Sequence, residues 1–114
     1  PAHFAPRTRL LGTLNYVADP AIPDRMELAL RHDYVNGTAS SPVGFVEAWY
    51  VAPAWRGRGV GRALVRAGED WARGRGCTEL ASDALLDNAA SHAAHAACGF
   101  EETERVVYFR KPLA

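Results

Sequence analysis

The sequence predicts an α/β fold with a mixed sheet. Its predicted elements follow one another as three strands, a helix, a strand, a second helix and a last strand. A glycine-rich turn joins the strongest strand to the first helix, and this turn is the second observation behind the fold prediction. The chain has 114 residues, 48% of them hydrophobic, which suits a single domain with one core.

The strand predictions rest on alternating apolar and polar side chains and on β-branched and aromatic content. Residues 43–51 (VGFVEAWYV) form the clearest strand, and residues 26–35 (MELALRHDYV) alternate as a half-buried strand does. Residues 8–17 are also predicted as a strand, although their apolar spacing allows a helical turn or two. Two prolines make residues 18–25 a loop. Two shorter strands complete the set, at residues 79–84 and 104–111.

Two segments are predicted as helices, residues 60–75 and residues 88–98. The first has an apolar stripe at helical spacing, formed by Leu64, Gly68, Trp71 and Ala72. The second is rich in alanine, with Asn88 as its N-cap and Gly99 just past its end. Both helices therefore have an identifiable start or stop in the sequence.

Composition argues against several classes of function. The formal net charge is zero, so we expect no nucleic-acid partner. Neither a transmembrane helix nor a signal peptide is evident, and we expect no membrane partner and a cytoplasmic location. We expect Cys77 and Cys98 to be buried free thiols, and His92 and His95 lack the further ligands of a metal site. Residues 54–76 nevertheless have a local charge of +4, which suits an anionic ligand.

The motif most closely tied to chemistry is the glycine-rich turn at residues 56–61 (RGRGVG). It follows a strand and opens a helix, where backbone N–H groups point outward without partners and the helix dipole adds positive charge. Glycines let the backbone approach a pyrophosphate, and arginines add charge-assisted contacts. The alternative is an arginine-rich turn that is only solvated.

Residues 51–64 (VAPAWRGRGVGRAL) resemble the signature of the GCN5-related N-acetyltransferase superfamily. The resemblance implies acetyl-CoA as co-substrate and no metal, with the pyrophosphate on residues 57–62 and the pantetheine arm along the preceding strand. It also implies a splayed gap after that strand, where pantetheine pairs with the backbone. The implied coenzyme-binding residues are Trp49, Tyr50, Val51, Arg56, Gly57, Arg58, Gly59, Val60, Gly61, Arg62 and Asn88.

Further segments resemble the aminoglycoside 6′-N-acetyltransferases within that superfamily. They include residues 30–37 (LRHDYVNG), residues 81–83 (ASD) and residues 99–107 (GFEETERVV). A polycationic aminosugar acceptor fits an acidic site, and the resemblance implies an acceptor site at Tyr34, Glu47, Asp83 and Glu104. Asp83 is the first choice for the base that handles the amine proton, and Glu47 is the second.

Each of these residues also has a structural reading. Glu47 could pair with an arginine, Asp83 could cap a turn, and Tyr34 could pack in the core. The competing functions are a CoA-binding domain with little or no catalysis, and an acetyltransferase for another small-molecule or protein amine.

The resemblance covers residues 26–114, while residues 1–25 diverge from the family within this single predicted domain of residues 1–114. Family members normally have a strand and two helices before the segment at residues 8–17, and those helices form one wall of the acceptor site. The resemblance therefore implies the α/β fold of that superfamily, a mixed, mostly antiparallel sheet with flanking helices, in an N-terminally shortened form. It also implies an intact coenzyme site and an incomplete acceptor site. An uncovered sheet face would favour a homodimer, with Trp49, Tyr50, Tyr108 and Phe109 as candidate interface residues.

Overall fold

The computed structural model describes residues 24–114 in full and the backbone of two earlier strands. The strands are β1 (Ala5–Arg9), β2 (Thr13–Val17), β3 (Arg25–Arg31), β4 (Val43–Tyr50) and β5 (Leu80–Ser82). The helices are α1 (Val60–Gly74) and α2 (Ala89–Ala97), and a short 3-10 turn spans Pro53–Trp55. The chain forms two compact units, Pro1–Asp83 and Ala84–Ala114.

The five strands form one sheet in the order β1-β2-β3-β4-β5. Neighbours pair antiparallel except β4 and β5, which run parallel on either side of the crossover through α1. This confirms the predicted mixed, mostly antiparallel sheet. A parallel pair needs a long connection, and α1 provides it.

Residues 8–17 were wrongly predicted as one strand, because they contain the end of β1 and all of β2, which pair with each other from Arg9↔Thr13 onward. Strand β3 begins at Arg25 and ends at Arg31 rather than Val35, because Val35 already accepts the turn hydrogen bond from Thr38 N at 3.0 Å. Residues 18–23, most of the predicted loop, lie outside the described part of the chain.

The predicted strand at residues 104–111 is wrong for the described structure, where no strand follows α2. Apolar alternation shows only that a segment fits a sheet, whereas a strand also needs a neighbour with which to share backbone hydrogen bonds. Several large apolar side chains of this segment are exposed, including Tyr108 at 82% and Phe109 at 92%.

Helix α1 packs on one face of the sheet through its predicted stripe, in which Leu64, Gly68, Trp71 and Ala72 are all buried. Two glycines make this contact close. A Cβ on Gly44 of β4 would lie 2.9 Å from the Cβ of Ala72, and one on Gly68 would lie 2.9 Å from the Sδ of Met26. Met26 is itself fully buried in β3. The helix axis therefore lies nearer to the sheet than larger residues would allow.

A smaller cluster of Val35, Val43 and Phe45 is also buried, with Ala81 of β5 packed against it. The guanidinium of Arg31 lies 3.7 Å from the centroid of the Phe45 ring. A cation over an aromatic face is attracted by the ring's quadrupole, so Arg31 covers this cluster while remaining half-exposed.

In the second unit, α2 begins as the sequence predicts, because the Asn88 side chain accepts a hydrogen bond from Ser91 N at 3.1 Å. Gly99 follows the helix with a φ of 90°, a conformation in which glycine has no Cβ penalty. His95 and Phe100 then meet edge to face, with ring centroids 5.1 Å apart.

The close approach of α1 gives a stability prediction. Gly44→Ala should lower the free energy of unfolding by about 1–3 kcal/mol, the usual cost of overpacking a core, because the added methyl group meets Ala72 Cβ and Leu80 Cδ1. The matched control is Gly74→Ala, since nothing lies within 4 Å of its added Cβ and the residue is helical. Urea denaturation should show the control at or above wild-type stability, and equal losses in the two variants would contradict the packing account.

Candidate functional site

A β-bulge in β4 marks the start of the candidate site. Glu27 pairs with Ala48 and the next residue, Leu28, pairs with Val46, so Glu47 is an extra residue in β4. Gly44 faces α1 before the bulge, while Trp49 and Val51 lie against the start of α1 after it, each 3.5 Å from a Cβ built on Gly61. The bulge therefore reverses which residues of β4 face the helix.

The ladder between β4 and β5 ends directly before the bulge. Its last pair is Val46↔Ser82, whereas β4 continues to Tyr50. In the described part of the chain, residues 47–50 therefore have no neighbouring strand on the β5 side. This is the splayed gap that the sequence resemblance implies, and an extended ligand can pair there with the backbone of β4.

Both candidate base residues lie at this divergence, because Glu47 and Asp83 each follow directly after the last pair of the ladder. Both are exposed. Glu47 accepts a hydrogen bond from Arg31 Nη2 at 2.8 Å, so the predicted alternative of an arginine pair is realised. Among the described residues, Asp83 has no ion pair.

Arg31 was missed by the sequence reasoning. It contacts both Glu47 and the Phe45 ring, although it pairs across the sheet with Val43. The contact with Glu47 depends on the register of β3 against β4 and on the bulge, and neither can be read from apolar alternation alone.

The glycine-rich turn has the geometry expected of a pyrophosphate-binding loop. Gly57 and Gly59 have φ values of 77° and 83°, and nothing lies within 4 Å of a Cβ built on either residue. Gly59 is the N-cap of α1, and its carbonyl accepts the helix's first bond from Ala63 N at 3.0 Å. The first backbone N–H groups of α1 have no acceptors within the helix, so they are available to bind an anion. The space beside the two glycines is open to such a ligand.

The arginines of this turn differ in what they contact. Arg56 donates from Nε to the Val51 carbonyl at 2.9 Å. The guanidinium of Arg58 lies 5.3 Å from the centroid of the Trp55 ring. Arg62 is exposed in the first turn of α1. Arg56 thus contributes to the shape of the turn, while Arg58 and Arg62 place positive charge around it.

The loop after β3 carries Tyr34, which is 73% exposed and so does not pack in the core. Its hydroxyl accepts a hydrogen bond from Gly37 N at 3.4 Å. Glu79, which the sequence reasoning missed, holds the same loop by accepting bonds from the Ser40 hydroxyl and from Ala39 N. These bonds, the Ser40 hydroxyl first, hold the pKa of Glu79 below its ordinary value.

The remaining candidate residues belong to the second unit. The side-chain oxygen of Asn88 caps α2, and Glu104 is exposed in the segment that follows this helix. Neighbouring Arg105 pairs with Glu102 at 2.9 Å, which lowers the pKa of the Glu102 carboxyl. The predicted acceptor set is thus divided, with Tyr34, Glu47 and Asp83 in the first unit.

The two histidines of α2 are engaged with backbone carbonyls. His92 Nε2 donates to Leu85 O at 2.9 Å, and His95 Nδ1 donates to Ser91 O at 2.7 Å. Within the described residues, no three His, Cys, Asp or Glu side chains are grouped as metal ligands. None of the described helices is long and apolar enough to cross a membrane.

Comparison with known proteins gives a consistent family. The acetyltransferase (GNAT) family model matches residues 7–100. An aminoglycoside N(6')-acetyltransferase type 1 from Stenotrophomonas maltophilia is 68% identical over 87 residues, which are 76% of this chain and 57% of that protein. A protein of the same name from Acinetobacter genomosp. 13 is 50% identical over 107 residues, covering 94% of this chain and 73% of that protein.

Solved structures agree with this match. The structure of AAC(6')-Iy in complex with the bisubstrate analogue CoA-S-monomethyl-acetylneamine has a TM-score of 0.82 at 44% identity. That comparison covers 89% of this chain and 69% of the other. The apo structure of AAC(6')-IG from Acinetobacter haemolyticus has a TM-score of 0.80 at 48% identity, covering 90% of this chain and 72% of the other.

Proposed function

Because this chain belongs to the acetyltransferase (GNAT) family, we propose that it transfers an acetyl group from acetyl-CoA to a primary amine of an aminoglycoside-like, polycationic acceptor. One observation supports the proposal above all. The end of β4, which has no neighbour on the β5 side among the described residues, is followed along the chain by the glycine-rich turn that begins α1. The relatives' names support the acceptor class. The chain spans 57% of the length of the first of these relatives, so the activity of the whole protein is part of the proposal.

For the coenzyme, the fit rests on two adjoining features of this chain. The open edge at residues 47–50 offers backbone groups to an extended amide-containing arm. The turn at residues 57–62 offers outward N–H groups, positive φ glycines and arginine charge to a pyrophosphate. Asn88 is proposed as a further contact, although its side-chain oxygen caps α2.

For the acceptor, the proposal uses the carboxylates where β4 and β5 diverge, since a polycation is attracted to unpaired negative charge. Glu47 is already paired with Arg31, whereas Asp83 has no ion pair among the described residues. Asp83 therefore remains the first choice for taking the amine proton, and Glu47 the second. Tyr34 and Glu104 are proposed as further acceptor contacts.

In the proposed reaction the amine attacks the acetyl carbonyl of the thioester directly, without a covalent enzyme intermediate. The C–N bond forms, the C–S bond then breaks, and CoA leaves as a thiolate that takes a proton from water. The protein orients the amine, accepts its proton at a carboxylate oxygen and donates a backbone N–H near Tyr50 or Val51 to the developing oxyanion. The bulge at Glu47 brings the end of β4 beside the start of α1, which suits that role.

The homodimer and the cytoplasmic location also belong to this proposal. The segment after α2 exposes several large apolar side chains, and such a run favours burial against another chain. A second copy is the proposed partner. Trp49, a candidate interface residue, is half-buried beside Gly61, so Tyr50, Tyr108 and Phe109 are the better candidates.

The coenzyme site is tested by Gly59→Asp against Gly59→Asn. Asp and Asn have nearly the same shape and both tolerate positive φ, so the two variants differ mainly in charge. Isothermal titration calorimetry should show that the Asp variant binds CoA at least about tenfold more weakly than the Asn variant at low salt. The difference should shrink as salt screens the added charge. Equal CoA affinities of the two variants would contradict the proposal that the pyrophosphate binds at the start of α1.

The chemistry is tested by Asp83→Asn against Glu47→Gln, with acetyl-CoA turnover measured on a panel of aminoglycosides. If Asp83 is the base, its amide variant should lose about a hundredfold or more in kcat, with CoA affinity unchanged. Glu47→Gln should lose less, and Asp70→Asn on the exposed side of α1 serves as the control. A loss confined to KM would reduce Asp83 to an electrostatic contact. Tight CoA binding with no amine acetylated would favour the non-catalytic alternative.

The dimer is tested by sedimentation at micromolar concentration. The wild type should sediment as a dimer, and the double variant Tyr108→Ser/Phe109→Ser should sediment as a folded monomer because it removes two exposed aromatic anchors. A monomeric wild-type protein would contradict the proposed dimer. A double variant that remains dimeric would show that Tyr108 and Phe109 do not form the interface.

A further inference from the structure

The peptide group between Val51 and Ala52 is held at both of its polar ends. The Val51 carbonyl accepts from Arg56 Nε at 2.9 Å, and the Ala52 N–H donates to Asp24 Oδ1 at 2.5 Å. Because a peptide group is planar, fixing its C=O and its N–H fixes the orientation of the whole plane. This plane lies between the end of β4 and the 3-10 turn that leads to the glycines.

Asp24 is an unusual residue to find at such a position. It is 1% exposed, and it is the buried charged residue of the described core. Its Oδ1 is satisfied by Ala52, while its Oδ2 is buried without a hydrogen-bond partner among the described residues. Burial of a carboxyl group costs free energy when one of its oxygens lacks a partner among the described residues, and the hydrogen bond to Ala52 offsets part of that cost.

The clamped peptide is continuous with the rest of the loop. The Ala52 carbonyl accepts from Trp55 N at 2.8 Å, and the Pro53 carbonyl accepts from Arg56 N at 3.3 Å. Arg56 is therefore tied to the loop by its backbone as well as by its side chain. On the other side, the Val51 side chain lies against Gly61 at the start of α1. A rotation of the 51–52 peptide would disturb both the open edge and the helix start.

We propose that Asp24 and Arg56 are positioning residues, which clamp the 51–52 peptide and so set the pyrophosphate-binding turn in its binding geometry before the coenzyme arrives. This inference rests on the proposed function, because it assigns CoA to that turn. Arg56 acts through Val51, not by contact with a phosphate. Asp24 acts through Ala52, and a residue preceding β3 thereby controls a site that follows β4.

Substitutions at Arg56 separate a clamp from a phosphate ligand. Glutamine is neutral, but its Nε2 is as many bonds from Cα as the arginine Nε, so Arg56→Gln can still donate to Val51. Lysine keeps the charge but extends its single nitrogen one bond further and lacks the Nε donor. A clamp predicts that the Gln variant binds CoA better than the Lys variant, and a phosphate contact predicts the opposite order.

Titration calorimetry with CoA gives the first readout. We expect Arg56→Gln to stay within about threefold of wild type and Arg56→Lys to lose roughly fivefold or more, the effect of one hydrogen bond. Asp24→Ala should lose at least as much, and Asp24→Asn, which keeps an acceptor oxygen, should recover part of the loss. Arg66→Gln, on the exposed face of α1, is the control for loss of one positive charge. A Lys variant that binds better than the Gln variant would overturn the role of Arg56.

Amide hydrogen exchange in the coenzyme-free protein gives the second readout. The Ala52 amide should exchange slowly in the wild type and at least about tenfold faster in Asp24→Ala, because its acceptor is gone. Arg56→Lys should speed exchange at Ala52 as well, and Arg66→Gln should not. If wild-type protein does not bind CoA, the proposed function fails while this exchange result still tests the clamp. Unchanged Ala52 exchange in Asp24→Ala, with normal CoA binding, would reject the clamp itself.

Discussion

The close approach of α1 to the sheet is the constraint on which the candidate site depends. Gly44 and Gly68 bring the helix against β4 and β3 at distances that a methyl group would violate. A helix start can bind an anion only if it lies beside the rest of the ligand's path. Because Gly61 also lies against Trp49 and Val51, the first turn of α1 is held beside the end of β4. Packing in the core thus determines where the anion-binding N–H groups lie.

The bulge at Glu47 makes this packing compatible with an open sheet edge. Without an extra residue, the side chains that face α1 near Gly44 would be out of phase with Trp49 and Val51. The same extra residue follows the last pair of the β4–β5 ladder. The side chains of β4 therefore switch faces of the sheet at the point where β4 stops pairing with β5. A bulge also increases local twist, which favours divergence of the two strands. One inserted residue therefore accounts for the helix contact and for the gap.

Local features of the site could be predicted from the sequence, and non-local ones could not. The turn at residues 56–61, the helix after it and the Asn88 cap depend on neighbouring residues, and the structure confirms the helix bounds to within a residue at each end. The Arg31–Glu47 pair joins β3 to β4, and the Asp24–Ala52 hydrogen bond joins the residue before β3 to the segment after β4, so both depend on the register of these strands. The segment at residues 104–111 shows the converse, because its alternation is suitable for a strand but the described residues supply no neighbour for it.

The charges near the divergence of β4 and β5 have different consequences for folding and for binding. Arg31 and Glu47 are about two-fifths exposed, so their pair contributes only about 0–1 kcal/mol to stability. For the proposed cationic acceptor, a paired Glu47 offers less net attraction than an unpaired carboxylate. Asp83, at the equivalent position after β5, keeps its negative charge uncompensated by an ion pair among the described residues. The two carboxylates are therefore not equivalent, and the Arg31 pair is the physical reason to rank Asp83 above Glu47 as the proposed base.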